Sequence, residues 1–413
     1  MSRFLFVAPP LAGHVYAAGA VADALTARGH EVAWAGPETA LRRMLGDAVS
    51  VYSTGMRPYR GQRDRGFRAV RSLWEGFVLP YARFTLPAVE KAVAAFAPDV
   101  VAADQHALAG AVAAHRHGVR WASLAPQSME LTRPFRALPK VEEWIRRRID
   151  GAGLSIADGA DPRFSPHLVL AFTTPALTGP HDFPAHYALV GPALGDRAAA
   201  PDFPWDALDP ARSTVLVTMG TLAEDVARDF YPRMAAALRA HAGRVQAVVA
   251  APPGTVPDLP PGTVVQPQVP VLALMPRLSA VVCHAGLNTV CEALAHGVPL
   301  VVAPIKHDQP VTAAQVVAAG AGVRVRFGRS GAGELAGALA AVLDEPGYAA
   351  AAGRVRESFA AAGVPRPRRH TWNSLPPAPD GRTRARRPPR HGPPATRTLA
   401  GGPLVTAPQE VSS

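Results

Sequence analysis

The sequence predicts an α/β protein built from two doubly wound parallel sheets, and three observations carry this prediction. Apolar runs of strand length alternate with helix-like segments in both halves of the 413-residue chain. A stretch rich in Pro, Asp and Ala, residues 193–212, lacks periodicity and separates the two series as a linker would. Finally, 48% of the residues are apolar, which is enough to bury two large cores.

Each half supplies its own series of strands. The first half contains RFLFVAP, EVAWAGP, VVAAD (100–104), RWASLAP (120–126), HLVLAF (167–172) and YALVGP (187–192), with a helix predicted from Ala18 to Arg28. The second half contains TVLVTMG (214–220), VQAVVA, TVVQP, AVVCH, LVVAP and GVRVRF. We therefore predict an N-terminal domain over residues 1–192, a linker over 193–212 and a C-terminal domain over 213–363.

The last 50 residues, 364–413, have a different composition. They contain 11 prolines and nine arginines but two acidic residues, which predicts a disordered tail and is similar to an out-of-frame reading of a GC-rich gene. This tail carries +7 of the formal net charge of +11 and leaves +4 for the rest of the chain. A nucleic-acid-binding function, which a basic chain invites, is therefore the least favoured alternative.

Several other classes are disfavoured by what the sequence lacks. The two cysteines, Cys283 and Cys291, argue against a disulfide framework and suit the cytoplasm. No uncharged apolar run reaches the ~18 residues of a membrane span. The initial FLFVAPPLAG is interrupted by Pro9, Pro10 and Gly13, which favours a first strand over a signal peptide. No GxGxxG follows that strand and no GxxxxGK[ST] occurs, so dinucleotide and Walker-type sites are weak interpretations.

The strongest functional signal lies in residues 280–315, where two apolar strands each end in polar residues. The first, Ala280 to Cys283, leads into the turn His284-Ala285-Gly286 and a helix from Asn288 to about His296. The second, Leu300 to Ala303, leads into Lys306-His307-Asp308-Gln309. Open parallel sheets bind ligands at the carboxyl ends of their strands. We therefore expect a ligand site here.

The residue types in this stretch suit a sugar nucleotide. Free N–H groups at the helix start near Asn288 and Thr289 favour an anion such as a diphosphate, and His284 can donate a further hydrogen bond. The carboxylate of Glu292 can accept two hydrogen bonds from a diol, and Asp308-Gln309 suits sugar hydroxyls. From the spacing alone, a plain αβ unit whose helix is capped by Asn or Thr is an equally good interpretation.

The stretch resembles the donor-binding signature of the inverting, UDP-glycosyltransferase-type enzymes of the GT-B fold, which include natural-product, macrolide and glycolipid glycosyltransferases. The signature His-(Ala/Gly)-Gly-x-(Asn/Gly)-Thr-x-x-Glu-Ala-Leu-x-x-Gly-Val-Pro, followed by Pro-x-x-x-Asp-Gln-Pro, is matched by His284, Gly286, Thr289, Glu292, Gly297, Pro299, Pro304, Asp308 and Gln309. Ala285 and Thr312 depart from it, since many members have Gly and Asn there. The resemblance covers residues 1 to about 360 and implies two Rossmann-like domains facing each other across a cleft.

The resemblance also implies a catalytic pair. His14 follows the first predicted strand beside Gly13, and a lone His in such a place is usually structural or exposed. In the family, the corresponding Gly-His carries the general base for the acceptor hydroxyl, paired with an Asp that matches Asp104. A carboxylate fixes the imidazole tautomer and stabilises the imidazolium that forms. A helix cap is the alternative role of Asp104, and Asp99 should lie at the opposite edge of the sheet.

Two further sets of residues complete the predicted site. Gly220-Thr221 resembles the diphosphate loop and Gln268-Val269 the base-binding loop, although no aromatic residue near them could stack on the base. The implied donor-binding residues are Gly220, Thr221, Gln268, Val269, His284, Gly286, Asn288, Thr289, Glu292, Asp308 and Gln309. The candidate acceptor-binding residues are Trp74, Phe77, Phe84 and Met129. For the arginine-rich segment around the first three, a solvated helix face is the preferred interpretation and an acceptor-side wall is the functional alternative.

Taken with the resemblance, these residues predict a metal-independent, cofactor-free inverting hexosyltransferase. It would move a hexose from a UDP- or dTDP-sugar to a hydroxyl of a small, largely apolar acceptor such as a polyketide, a phenolic or a glycolipid. His284, Asn288, Thr289 and the helix N-terminus would hold the charge of the departing diphosphate. The alternatives are a sugar-nucleotide epimerase of the same architecture, which needs no acceptor, and a non-catalytic relative with an aberrant C-terminus.

Overall fold

The structure, a computed structural model, describes residues 1–56, 64, 67–132, 138–156, 159–194, 202–220, 229–252, 254–256 and 258–362. The predictions for Thr221, for the arginines between 57 and 63, for part of the linker and for the tail 364–413 lie outside these residues. Among the helices in the described ranges, none has the length and apolarity that a membrane crossing requires.

The first sheet has seven parallel strands in the order β3-β2-β1-β4-β5-β6-β7. Its strands are β1 Arg3–Val7, β2 Glu31–Gly36, β3 Val51–Ser53, β4 Val100–Asp104, β5 Arg120–Ala125, β6 Val169–Ala171 and β7 Tyr187–Leu189. The strand order reverses between β1 and β4, which pair with each other from Phe4–Val100 to Val7–Ala103. A crevice for ligands therefore opens beyond the carboxyl ends of these two strands.

The helices of the first half cover both faces of this sheet. They are α1 Ala12–Thr26, α2 Glu38–Leu45, α3 Phe67–Leu73, α4 Leu79–Phe96, α5 Ala109–Arg116, α6 Ser128–Thr132, α7 Pro139–Gly151 and α8 Pro175–Thr178, with a π-helical segment, Trp74–Val78, between α3 and α4. Helix α1 begins at Ala12, earlier than the predicted Ala18, because Val15 and Ala18 already belong to its buried face. His14 therefore lies in its first turn.

The second sheet has six parallel strands in the order β10-β9-β8-β11-β12-β13. Its strands are β8 Ser213–Thr218, β9 Val245–Ala250, β10 Val264–Gln266, β11 Leu278–Cys283, β12 Leu300–Val302 and β13 Gly322–Arg324. The helices are α9 Tyr231–Arg239, α10 Val271–Leu274, α11 Leu287–Ala295, α12 Gln309–Ala318, α13 Ala332–Asp344 and α14 Pro346–Ala362. Here the order reverses between β8 and β11, so a second crevice opens where Gly220 and His284 follow these strands.

Each sheet has a core on both faces, as the alternation of side chains along a strand requires. In β1, Leu5 and Val7 join the core under α3 to α5, whereas Phe4 and Phe6 join the core under α1 and α2. The predicted fold class, two doubly wound parallel sheets, is confirmed. The domain boundaries at 192/193 and 212/213 stay predictions.

Candidate active site

His14 and Asp104 meet at the switch point of the first sheet. Asp104 is the last residue of β4 and His14 lies in the first turn of α1, directly after β1. Nδ1 of His14 is 2.8 Å from Oδ2 of Asp104, and both side chains are buried. The competing carboxylate, Asp99, lies at the other edge, where it accepts a hydrogen bond from the backbone N–H of Arg3. The structure thus brings the predicted pair together.

The partners of His14 define its tautomer. A carboxylate is an acceptor, so Nδ1 carries the proton that is donated to Asp104. The second nitrogen, Nε2, is 3.1 Å from Nε2 of Gln127, an amide nitrogen that donates and does not accept. The lone pair of His14 therefore lies at Nε2, where it can take a proton from another molecule. The sequence prediction missed Gln127, although it follows β5 at the same edge of the sheet.

His284 lies between two glycines of the second sheet. A Cβ atom added to Gly220 or to Gly286 would come within 2.6 Å of its imidazole ring, and Gly220 has a left-handed backbone with φ of 72°. Burial, with a smaller contribution from Lys306, lowers the pKa of His284 to about 4. Within the described part of the chain, its Nδ1 has no hydrogen-bond partner. A neutral His284 is therefore a hydrogen-bonding group rather than a cation near neutral pH.

The turn that follows β11 gives α11 an N-terminus without a side-chain cap. Helix α11 begins at Leu287, its N-cap is Gly286, and no side-chain hydrogen bond caps it. The alternative in which Asn288 or Thr289 is a helix cap is therefore wrong. Instead, the amide of Asn288 lies against Gly13 in the first turn of α1, where an added Cβ would be 2.9 Å from its Nδ2. The turn after β11 and the helical turn that carries His14 thus face each other.

Ala285, in the same turn, explains a departure from the family signature. Its φ is 64°, in the left-handed region that glycine adopts without cost and other residues adopt with strain. The sequence marks Ala285 as unusual because many family members have glycine there. The structure supplies the physical reason, since the turn that presents His284 requires this backbone conformation.

The residues predicted to bind the sugar hydroxyls, Glu292, Asp308 and Gln309, are buried in the second half of the chain. Glu292 lies in α11 and is 3% exposed. Asp308 is the N-cap of α12 and is buried, and burial raises its pKa, although His14 and His106 act in the opposite direction. The side-chain oxygen of Gln309 accepts hydrogen bonds from the backbone N–H groups of Ile305 and Lys306 at 2.8 and 2.9 Å. That oxygen is thus committed to the loop, which the prediction of Gln309 as a sugar ligand did not foresee.

The other predicted residues are dispersed. Gln268 is exposed and Val269 is buried, both just after β10. Trp74, Phe77 and Met129 are interior side chains, whereas Phe84 is 48% exposed and lines a surface pocket with Arg83. The structure does not gather the four candidate acceptor residues into one wall, because three of them pack within the core of the first half. Their acceptor role stays a prediction.

A buried cluster of charges, which the sequence reading missed, adjoins the His14–Asp104 pair. His106 stacks on His14 with ring centroids 5.2 Å apart. Its Nε2 is 3.9 Å from Oε1 of Glu130, whose other oxygen is 2.7 Å from Nη1 of Arg163. All three side chains are buried. The sequence signals were Arg163 just before the apolar strand segment 168–172 and the spacing Asp104-x-His106.

Comparison with known proteins supports the family resemblance. A family model described as UDP-glucoronosyl and UDP-glucosyl transferase matches residues 197–357. The 4'-demethylrebeccamycin synthase of Lentzea aerocolonigenes is 38% identical over 204 residues, which are 48% of this chain and 47% of that protein. The elloramycin glycosyltransferase ElmGT of Streptomyces olivaceus is 28% identical over 91% of this chain and 98% of that protein.

In the first of these relatives the match spans about half of the protein's length. Among solved structures, the glycotransferase of kitacinnamycin superposes with a TM-score of 0.71 at 23% identity, covering 91% of this chain and 97% of that chain. The spinosyn rhamnosyltransferase SpnG gives 0.69 at 26% identity, covering 87% and 96%, and has also been solved with thymidine diphosphate. The predicted resemblance and the GT-B fold are therefore confirmed, while the roles of individual residues stay predictions.

Proposed function

We propose that the chain is a glycosyltransferase of natural-product glycosylation, because residues 197–357 match the model of the UDP-glucoronosyl and UDP-glucosyl transferase family. More specifically, it transfers a hexose from a UDP- or dTDP-sugar to a hydroxyl of a small, largely apolar acceptor. The observation that carries this proposal is the 2.8 Å contact between His14 and Asp104, which leaves a basic nitrogen at the switch point of the first sheet.

The proposed step is a single displacement. The acceptor O–H gives its proton to Nε2 of His14 while its oxygen attacks the anomeric carbon. The bond from that carbon to the diphosphate oxygen breaks, and the nucleoside diphosphate leaves with the electron pair. Attack opposite the leaving group inverts the anomeric configuration. Asp104 stabilises the imidazolium that forms, as a carboxylate on the second imidazole nitrogen does in general-base catalysis.

The leaving group needs a site for its negative charge. The uncapped start of α11 offers backbone N–H groups, and the turn beside it presents His284 between Gly220 and Gly286. Backbone donors and a helix dipole stabilise a developing anion without a metal ion, so the proposal includes no resident cofactor. Glu292 and Asp308 serve the ribose and hexose hydroxyls in this scheme.

The acceptor class rests on the relatives. Those reported above include a 4'-demethylrebeccamycin synthase, an elloramycin glycosyltransferase and a spinosyn rhamnosyltransferase, whose names describe natural products. The thymidine diphosphate in one solved structure is the reason to keep a dTDP-sugar beside a UDP-sugar. We therefore favour a polyketide or phenolic hydroxyl over a glycolipid.

A panel assay tests the proposal. The full chain is incubated with UDP-glucose, dTDP-glucose and dTDP-rhamnose against polyketide, phenolic and glycolipid acceptors, and both glycosylated product and nucleoside diphosphate are measured. We expect equal amounts of the two. We also expect the anomeric configuration of the product, determined by NMR, to be opposite to that of the donor. Conversion of the donor to a stereoisomer without an acceptor would favour the epimerase, and no binding of any nucleotide by calorimetry would favour a non-catalytic protein.

A further inference from the structure

His106 is a second imidazole directly beside the proposed base. Its backbone N–H donates to Oδ1 of Asp104 at 2.8 Å, while Oδ2 of the same carboxylate holds His14. Its ring lies 5.2 Å from that of His14 at an interplanar angle of 31°. His106 is 1% exposed, and within the described residues neither of its ring nitrogens has a hydrogen-bond partner. A buried polar ring in this position requires an explanation.

The surroundings of His106 are rich in negative charge. The titratable and charged groups that face it are Asp104 at the end of β4, Glu130 on α6, Asp308 and His307 before α12, and His14 on α1. Arg163 stands behind Glu130, 2.7 Å from its far oxygen. Burial alone lowers the pKa of His106, but Glu130, Asp104 and Asp308 outweigh it and raise the pKa above the ordinary value.

The contacts of Glu130 and Arg163 leave room for a second cation beside Glu130. Oε1 of Glu130 has no hydrogen-bond partner in the described part of the chain and faces Nε2 of His106 across 3.9 Å. Asp161 and Glu142 take up the other nitrogens of Arg163 at 2.6 and 2.5 Å. Oε1 of Glu130 therefore needs a further partner nearby, since a buried charge is costly unless it is compensated.

We propose that His106 is a positioning residue: facing Glu130 at 3.9 Å and stacked on His14, it carries a positive charge that disfavours a proton on Nε2 of His14. Two like charges 5.2 Å apart repel strongly at the effective dielectric of a protein interior. His106 thus disfavours the protonated form of His14 and extends the range of pH over which Nε2 is available as a base.

The inference rests on the proposed function only for its catalytic consequence, and an NMR titration tests the electrostatic part without any substrate. In the full chain labelled at histidine Cε1, resonances are assigned by substitution and followed from pH 4 to 9. We expect His106 to titrate at a higher pH than the exposed His117, which is the internal reference. In His106→Gln, we expect the titration midpoint of His14 to be higher than in the parent protein, because the neighbouring positive charge is gone.

Variants of two of the three carboxylates that contact Arg163, Glu130 and Glu142, provide a matched pair. Glu130→Gln removes the anion that faces His106 and should move the midpoint of His106 down. Glu142→Gln removes another partner of Arg163, far from the imidazoles in the hydrogen-bond network, and should leave both midpoints unchanged. The double variant His106→Gln/Glu130→Gln should shift His14 no further than His106→Gln alone, because Glu130 acts through His106.

Either of two results would overturn the inference: a His14 midpoint that is the same in the parent protein and in His106→Gln, or a His106 that titrates below His117. If His106→Gln does not fold, the Glu130→Gln titration and the parent titration still decide. Where the panel assay yields a product, the acid limb of the pH profile of kcat should shift to higher pH in His106→Gln. This shift should match that of the His14 midpoint measured by NMR. Midpoints that behave as expected in a protein without transferase activity would refute the proposed function and leave this inference standing.

Discussion

The proton on His14 is the single feature on which the proposed chemistry depends. Asp104 fixes it at Nδ1, and the side-chain amide of Gln127 donates a hydrogen bond to Nε2. An acceptor hydroxyl has to take the place of that amide donor. The hydrogen bond from Gln127 to Nε2 joins two neutral groups, so exchanging it for a hydrogen bond from the substrate hydroxyl costs little free energy.

Removing this base should separate catalysis from donor binding. We expect His14→Ala to lower kcat by about 10²- to 10⁴-fold, the usual contribution of a general base, and to leave the affinity for the donor nearly unchanged, because the base acts on the acceptor. His117→Ala, an exposed histidine, is the control. Turnover and calorimetry with the donor identified in the panel assay provide the measurement, and near-normal turnover in His14→Ala would rule out His14 as the base.

Gly220 and Gly29 form a matched pair for testing the turn that is proposed to bind the diphosphate. Both have a left-handed φ, 72° and 77°, so that alanine costs each about 1–2 kcal/mol of backbone strain. A Cβ at Gly220 also meets His284 at 2.6 Å, whereas one at Gly29 meets nothing within 4 Å. Gly220→Ala should therefore weaken calorimetric binding of UDP or dTDP about 10-fold or more, and Gly29→Ala should not. Equal affinities would mean that His284 does not contact the nucleotide.

Some residues of the candidate site could be predicted from the sequence and others could not. His14 and Asp104 were predictable because each follows a recognisable strand and matches a family motif. His106, Glu130 and Arg163 were not, because the charges compensate one another across 24 to 33 positions of chain and no local pattern encodes such a contact. Likewise, nothing in the sequence Asp308-Gln309 indicates that the amide oxygen of Gln309 accepts hydrogen bonds from the backbone of the loop before it.

At the scale of elements, buried parallel strands were the best predicted features. VVAAD was predicted over 100–104 and is β4, Val100–Asp104, because a run that is apolar on both faces has no other place in a doubly wound sheet. Helix starts were less accurate. Helix α11 begins at Leu287 rather than at the predicted Asn288. The turn ends earlier than the sequence Asn288-Thr289 suggests, because Ala285 adopts a left-handed conformation.

Helices α6 and α7 are tied together through Arg163, and this tie should be sensitive to acid. Burial by itself raises the pKa of Glu130, but Arg163 and His106 outweigh it and lower the pKa to about 2, from an ordinary 4.5. A lowered pKa stabilises the folded state above the ordinary value and is lost as pH falls through the window from about 4.5 to 2. We expect up to about 3 kcal/mol of stability to disappear there.

Urea denaturation at pH 7, 4.5 and 3 measures this loss. In Glu130→Gln the decrease in the free energy of unfolding between pH 4.5 and 3 should be clearly smaller than in the parent, because the titrating group is gone. Glu143→Gln is the control, since Glu143 pairs with Arg147 on the exposed side of α7. An unchanged acid dependence in Glu130→Gln would show that the cluster does not contribute to acid unfolding.

Polar side chains join the halves that carry the two sheets, and the contacts among the described residues include the following. Asn288 lies against Gly13, Ser128 donates to Gln315 at 2.8 Å, and Ser358 donates to Thr174 at 2.9 Å. The first two lie beside the proposed site. The third belongs to α14, the last helix that the structure describes, which also packs against α11. Relative placement of the halves therefore depends on side chains that sequence periodicity does not report.

Helix α14, and not the segment 364–413, is expected to stabilise the C-terminal region of the protein. Helix α14 buries Ala351, Ala352, Val355 and Phe359 and carries Ser358, so it contributes apolar burial and a hydrogen bond to the first half. Burying Val355 and Phe359 alone is worth roughly 1.5–3 kcal/mol each. The segment 364–413, by contrast, has proline too often for a helix and too few apolar residues for a core.

Two truncations separate these contributions. A chain ending at Ala362 should keep the melting temperature of the full chain within about 2 °C, equivalent to less than about 1 kcal/mol at this size. A chain ending at Glu345, which lacks α14, should melt at least about 10 °C lower, because it exposes the apolar partners of that helix on both halves. If the chain ending at Ala362 melted well below the full chain, or if 364–413 were protected in hydrogen exchange, the tail would be structured and the prediction of disorder would be wrong.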